Sequence, residues 1–526
     1  MNLEGFLHNL HFNSGKISPP DWEVDWEDAP LPYKIYRDLP VFPLSQEVPL
    51  TLKERQVIVK PDLREIGHFL WYIFGLTQCC QSVDALDSTE QTGLMQWLRR
   101  FVPSGGALYP NELYVYLKME DTPNGVYHYD VAHHQLVLLR EGNFDSYLSQ
   151  SLGNRCDMSA CFGTVFVSTI FWKNFFKYHN FSYRLQGLDT GVVIGQLLEV
   201  TKRFGFSSGV YFQFLDRAVN HLLGLSEQEE SVYAVIPMSL KPETTWRATE
   251  NDKNGTVSSA ELCQELTPIR HNHYTRSEKI KEYPMLVKMN ESCLMESTES
   301  FLQIEEKEKS INRKEQTLTL PNVKRFSYDF ASVCRKRYSP GMDFVLGKIS
   351  QQQLATLLQE ATASFSYHND LDRGQKNSGY RVSLYGCFYG VEGIPDGAYH
   401  YDSATHVLRQ KRLGDHRLWI QQGMSLQDVN MFQIPICLHV VGNQDHLKME
   451  LGYRGYRIQQ IEAGMLVQRL LLVSSAIGLG GHPLLGFSAS LCDEIYGITL
   501  EEKTSLIQIP ISSYRFPHRL QGSLHG

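Results

Sequence analysis

The chain has 526 residues, 42% hydrophobic, 11% aromatic and 21% charged, with 50 Lys and Arg against 58 Asp and Glu for a net charge of −8. That length exceeds one ordinary core and that apolar content excludes a disordered chain, so two compact domains with connecting material are expected. The mild acidity exerts no long-range pull on a phosphate backbone, which disfavours nucleic acid as a partner.

The start, MNLEGFLHNLHFNSGK, places charged and polar residues where a secretory apolar region needs an unbroken run. No later stretch reaches the ~20 apolar residues that span a bilayer, so a soluble, cytoplasmic protein with no membrane partner is expected. An N-terminal arm over residues 1–60 includes a Pro- and Trp-rich stretch, Pro19-Pro20-Asp21-Trp22 to Leu44, suited to packing on the domains. A first domain spans 61–241. Its apolar spacing predicts a helix from Leu63 to Gly75, strands at Leu113 to Leu117, Val126 to Tyr129 and Gln135 to Leu139, and a further strand from Thr164 to Thr169. A long apolar helix, Tyr183 to Phe204, and a strand from Val232 to Pro237 close it. Residues 242–322 shift toward Glu, Lys, Ser and Thr, with a charge run from Glu305 to Glu315, and read as a solvated linker without chemistry.

Residues 323–526 repeat the first domain. Asn124-Gly-Val-Tyr-His-Tyr-Asp130 recurs as Asp396-Gly-Ala-Tyr-His-Tyr-Asp402, an offset of 272 residues (124 to 396), and Ser182-Tyr-Arg-Leu-Gln186 recurs as Gly455-Tyr-Arg-Ile-Gln459 at 273 (182 to 455). The repeat predicts a helix at Ile349 to Ala361, strands at Ile434 to Val441 and Ser505 to Ile511, and a long helix at Tyr456 to Ile477. Helices mixed with a largely antiparallel sheet define an α+β class. Ten cysteines occur without a CxxC pair, and HExxH is absent, so no metal site is indicated and the thiols are expected to pack as small hydrophobes.

Three stretches could carry chemistry. In Arg99 to Pro110, Pro103-Ser104-Gly105-Gly106 lets backbone approach a flat ligand, although a simple turn into the next strand explains the glycines equally well. The aligned positions of the second copy, Gln375-Lys-Asn-Ser378, lack this loop. In Cys334 to Phe344, Arg335, Arg337 and Ser339 alternate, so an extended segment would point them one way at a phosphate; a solvated basic turn is the plainer reading. The first copy offers only Lys53-Glu-Arg-Gln56 there. In Phe176-Lys177-Tyr178-His179, Lys177 and Tyr178 need a shifted pKa to serve as acid or base, and otherwise form an ordinary surface pair. The second copy has Glu450 and Leu451 instead.

Taken in order, Pro103-Ser-Gly-Gly-Ala-Leu-Tyr-Pro-Asn-Glu112, Gly125-Val-Tyr-His-Tyr-Asp130, Lys177-Tyr178, Tyr183-Arg184 and Asp189-Thr-Gly191 resemble the SagB/McbC-type azoline dehydrogenases. These are FMN enzymes of nitroreductase-like fold that mature thiazole- and oxazole-containing peptides. The resemblance covers Asp62 to Leu240 well and the second copy more weakly, including Ile477-Gly-Leu-Gly-Gly-His-Pro-Leu-Leu-Gly-Phe487. It implies two tandem nitroreductase-like domains forming an intrachain pseudo-dimer with one FMN. Lys177 and Tyr178 would be the catalytic pair, the assignment of the base between them staying open. Pro103, Ser104, Gly105 and Gly106 would line the flavin ring, with Gly480 and Gly481 on its other side, and Arg335, Arg337, Ser339 and Arg515 would hold its phosphate. The implied partners are an azoline-containing precursor peptide and a cyclodehydratase complex. Two alternatives compete: a nicotinamide-dependent nitro- or quinone-reducing flavoenzyme, and a flavin-free docking subunit.

Overall fold

A computed structural model describes residues 2–19, 21–52, 60–85, 92–241, 255–304, 315–363, 367–372, 381–516 and 520–523. The compared segments 53–56 and 375–378 lie outside the described residues, as does 305–314 of the charge run. The chain divides into two compact units, one of Ile17–Glu305, Tyr367–Ser378 and Arg519–Gly526, the other of Met1–Lys16, Glu306–Ser366 and Gly379–His518.

The unit holding the first copy is built on an eight-stranded sheet in the order Val41–Pro43, Gln135–Glu141, Gly125–Asp130, Asn111–Leu117, Cys161–Ile170, Glu230–Ser239, Ser207–Val210, His368–Asn369. Its central strand Asn111–Leu117 is buried at every position, because helices and connecting segments cover both faces of the sheet. Helix Leu63–Phe74 begins where the Asp62 side chain accepts the Glu65 N–H at 2.7 Å. Helix Ser182–Phe204 is buried on nearly all sides, and so lacks a polar stripe. It stops at Gly205, whose φ of +73° lets the Phe206 and Gly205 N–H groups return to Thr201 and Lys202 carbonyls.

The second copy repeats this plan. Its sheet runs Thr317–Thr319, Val407–Leu413, Gly397–Asp402, Val382–Phe388, Ile436–Asn443, Lys503–Tyr514, Phe344–Val345, with Gly480–Gly481 also paired to Lys503–Tyr514. Even the β-bulges recur, at Val126/Tyr127 and Ala398/Tyr399, and at Val167/Ser168 and Val440/Val441. The molecule is therefore an α+β chain built of two tandem copies of one domain plan. The repeated Tyr-His-Tyr-Asp motif has a structural role: Tyr129 meets His134 and Tyr401 meets His406 at 2.8 Å, while Asp130 and Asp402 accept N–H groups of the turns that follow.

Two features differ from the sequence expectation. The stretch read as a solvated linker contains helices Ser259–Gln264 and Pro284–Glu291, and Leu262, Leu286 and Met289 are fully buried. Its charged composition masks a short apolar stripe in which Leu286 and Met289 share one helical face with the buried Asn290 beside them. The hairpin Gln78–Ala85 with Thr92–Arg99, joined by Leu520–Ser523, was also not expected. No helix among the described residues is long and apolar enough to cross a membrane.

Candidate active site

Strand Cys161–Ile170 runs directly into helix Phe171–Tyr178. Phe171, Trp172, Phe175 and Phe176 bury one side of that helix, leaving Lys177 and Tyr178 half-buried at its end. The Pro- and Trp-rich arm packs here: Trp22 Nε1 donates to the Phe176 carbonyl at 3.3 Å, and Lys177 Nζ lies 5.3 Å from the Trp26 ring centroid.

The loop after Arg100 brings its glycines to the same place. Gly106 has φ +64°, and a Cβ added there would lie 2.5 Å from Tyr178 Oη and 3.0 Å from Lys177 Nζ. A Cβ on Gly105 would lie 2.8 Å from Leu185 Cδ2. The plain-turn explanation of these glycines is thus incomplete: Gly106 is where backbone and the Lys-Tyr pair make their close approach. The fold brings Ser104, Gly105, Gly106, Lys177 and Tyr178 together.

Asp189 ties this cluster down. Ser104 Oγ donates to Asp189 Oδ2 at 2.7 Å, the Gly105 N–H donates to Oδ1 at 3.2 Å, and Ser104 Oγ in turn accepts the Tyr109 N–H at 2.9 Å. Burial pushes the Asp189 carboxyl up to about 6, although these donors and Asn174 pull it down. Burial also lowers the pKa of Lys177 and, with the Asp189 charge, raises that of Tyr178.

Beyond the loop, Lys173, one turn before Lys177, donates to Glu112 at 2.5 Å, and His128 Nε2 lies 2.8 Å from the other Glu112 oxygen. Burial alone would raise the Glu112 carboxyl, but Lys173 and His128 more than offset it and hold it at about 2. Asn111 Nδ2 reaches Thr169 Oγ1 at 3.0 Å and Thr190 Oγ1 at 2.8 Å, joining the loop's end to the strand and the long helix. Sequence reasoning assigned Asp189, Asn174, Glu112 and Lys173 no role. The available signal was polarity in apolar surroundings, such as Asp189 between Leu188 and Val192.

In the second unit the expected phosphate residues meet differently than foreseen. Arg335 lies in the last turn of helix Phe330–Lys336 and is exposed, so it does not alternate with Arg337 on an extended segment. Arg337, past the helix end, is buried, and its Nη1 donates to Ser339 Oγ at 3.2 Å. Gly480 and Gly481 pair with Ser512 and Ile511, and a Cβ on Gly480 would lie 2.5 Å from Pro340 Cγ. Arg515 is exposed, and its N–H donates to the Asp343 carbonyl at 2.9 Å. Residues 337–343, 480–482 and 512–515 thus form one cluster.

Both clusters fit a flavin. In the loop, the Ser104 and Gly106 N–H groups find no acceptor among the described residues, which leaves donors for a planar ring. In the second unit a guanidinium and a hydroxyl stand together beside glycine backbone, a donor set suited to phosphate.

Residues 78–238 match the model of the nitroreductase family. The chain's curated relatives include the trifolitoxin-processing protein TfxB of Rhizobium leguminosarum bv. trifolii, 29% identical over 28% of this chain and 42% of that protein. The microcin B17-processing protein McbC of Escherichia coli is 30% identical over 25% of this chain and 50% of that protein. The chain spans half or less of the length of these relatives, and they support the resemblance to the McbC type. A solved chain of Anabaena variabilis assigned to the nitroreductases matches over 98% of this chain and 99% of that one, with a TM-score of 0.73 at 19% identity. That likeness shows the fold.

Proposed function

We propose that this oxidoreductase-fold protein is an FMN-dependent dehydrogenase that converts azoline rings in a ribosomally made peptide to thiazoles or oxazoles. The observation that supports it most is the contact of Gly106 with both Lys177 and Tyr178, which sets an acid–base pair against a loop with free N–H donors. The processing roles named for TfxB and McbC support a peptide substrate, and the family resemblance implies a cyclodehydratase that forms the azoline as the partner.

Aromatisation removes one ring hydrogen as hydride and another as a proton. Bound FMN supplies the hydride acceptor. The proton falls to this chain's own residues. Burial lowers the Lys177 pKa and, with the Asp189 charge, raises that of Tyr178, directions that favour Lys177 as the base and Tyr178 as the group that keeps its proton. Ser104, Gly105 and Gly106 hold the ring, and Arg337 and Ser339, with Arg335 and Arg515 nearby in sequence or space, hold the phosphate. One flavin per chain is the expected count, as the family resemblance implies.

The test is incubation of purified full-length protein and its Lys177→Ala and Tyr178→Phe variants with a synthetic thiazoline peptide, with mass spectrometry following the loss of two hydrogens. Wild type should convert the peptide, and both variants should keep the yellow flavin spectrum but lose at least about 100-fold in rate. Unchanged turnover in a variant removes that residue from the mechanism. A wild type that ignores the peptide but is rapidly bleached by NADH is a reductase instead.

A further inference from the structure

Asp189 stands apart from the residues the chemistry uses. It is a 6% exposed acid in helix Ser182–Phe204, and both of its oxygens are engaged by the flavin loop. We propose that Asp189, in its ionised form, is a positioning residue that clamps the Ser104–Gly106 loop against Lys177 and Tyr178. This inference rests on the flavin reading above, and it adds a device that sets when the site is assembled.

The geometry makes the carboxylate the only group that can do this. An ionised carboxylate accepts at both oxygens and so holds the Ser104 hydroxyl and the Gly105 N–H at once. With its proton donated to Asp189, Ser104 Oγ is free to accept the Tyr109 N–H, which fixes the far end of the loop. One residue beyond Gly105, at φ +64°, a Cβ on Gly106 would lie 2.5 Å from Tyr178 Oη and 3.0 Å from Lys177 Nζ, so either the pair or the loop would have to shift. A loop displaced by a fraction of an ångström would therefore alter the spacing between ring donors and the base.

Three elements face Asp189. The loop presents Ser104 and Gly105, which carry no charge. Helix Phe171–Tyr178 presents Tyr178 and Asn174. Asn174 is fully buried; it lies near enough to stabilise the carboxylate, yet its amide completes no well-formed hydrogen bond. On its own helix, the residues one turn away, Leu185, Gln186, Val192 and Val193, are uncharged. Lys177 Nζ stands on the far side of Gly106, and among the described residues no cation contributes to the shift, so burial governs the ionisation and pushes the carboxyl up to about 6. A proton on Oδ1 would face the Gly105 N–H, donor against donor, and a proton on Oδ2 would remove the charge that strengthens both bonds, so protonation weakens the clamp. The Ser104 and Gly105 donors hold the buried carboxyl below where burial alone would set it, so a carboxyl still buried without them binds its proton more tightly, and the loop's hold weakens as the pH falls through about 6.

The test measures FMN binding, by fluorescence quenching on apo full-length protein, from pH 5 to pH 8. Turnover of the thiazoline peptide is followed over the same range. Wild type should bind FMN about tenfold more weakly at the acid end. Asp189→Asn should bind about tenfold more weakly at pH 8 and lose the acid limb in both binding and turnover. Ser104→Ala, which leaves a foldable loop, should give a similar loss that is not additive with Asp189→Asn. An Asp189→Asn protein with wild-type melting temperature and an unchanged acid limb overturns the clamp. Full FMN binding with no peptide turnover in wild type overturns the functional reading while leaving the binding arm of this test intact.

Discussion

At the level of single residues, the site depends on two glycines that differ in what surrounds them. At Gly106 the positive φ costs a non-glycine residue roughly 1 kcal/mol, and the new Cβ would press on the catalytic pair itself. At Gly105 the obstacle is the end of the Leu185 side chain, which can change rotamer. Gly106→Ala should therefore reduce peptide turnover at least tenfold with only a modest fall in melting temperature, whereas Gly105→Ala should keep more of the rate. Equal rates in the two variants would show that the contact with Tyr178 and Lys177 does not matter. The sequence pointed to both glycines as a place of close approach, but what approaches them was not legible. Lys177 and Tyr178 are 71 and 72 residues beyond Gly106, and only the fold brings them to it. Asp189 was harder still, because a buried acid in a long helix of mixed composition reveals its partners only once the loop is placed.

Among the elements, those with a strong period were read nearly to their ends. Leu63–Phe74 and Ser182–Phe204 differ from expectation by a residue, since caps at Asp62 and Gly205 are written in the sequence. Failure came where spacing was ambiguous. Arg335, Arg337 and Ser339 suit an alternating strand, but the Asp329 side chain accepts the Ser332 N–H at 3.3 Å and starts a helix that carries Arg335 in its last turn. Two residues apart across a helix end, the guanidiniums do not share a face. Arg337 is buried and already oriented by Ser339, so less side-chain entropy is lost when it grips a phosphate. Arg337→Ala should weaken FMN binding at least about tenfold, and Arg335→Ala by a clearly smaller factor. Fluorescence titration of the two variants decides the matter, and a larger loss in Arg335→Ala would move the phosphate grip onto the helix end.

The repeat implies that the whole molecule could be cut into two independent halves, and the contacts within each unit argue otherwise. The first unit takes in residues from far along the chain: His368 and Asn369 pair in parallel with Gly209 and Val210, and Leu520–Ser523 pairs with the hairpin strand Gln78–Ala85. Asp370, 7% exposed, accepts the Phe212 and Gln213 N–H groups at 2.8 and 2.9 Å and an ion pair from Arg155 at 3.0 Å. The second unit likewise takes in the first residues of the chain, where helix Leu3–Phe12 buries Phe6, Leu7 and Leu10 and His11 meets Thr504 Oγ1 at 2.7 Å. None of this exchange was legible, because a two-residue strand and an isolated aspartate have no period to read. Its consequence is specific. A fragment of residues 17–305 would leave two buried N–H groups and a partly buried guanidinium without their acceptor, each costing about 1–3 kcal/mol, a large share of a domain's stability. In the full chain Asp370→Ala should lower the free energy of urea unfolding by about 3 kcal/mol, breaking a buried pair and both N–H contacts at once. The 17–305 fragment made alone should aggregate or melt without a cooperative transition. A soluble, cooperatively folding fragment, or an Asp370→Ala protein with wild-type stability, would mean that the duplicated domains remain separable and that each could still bind and act as a protein in its own right.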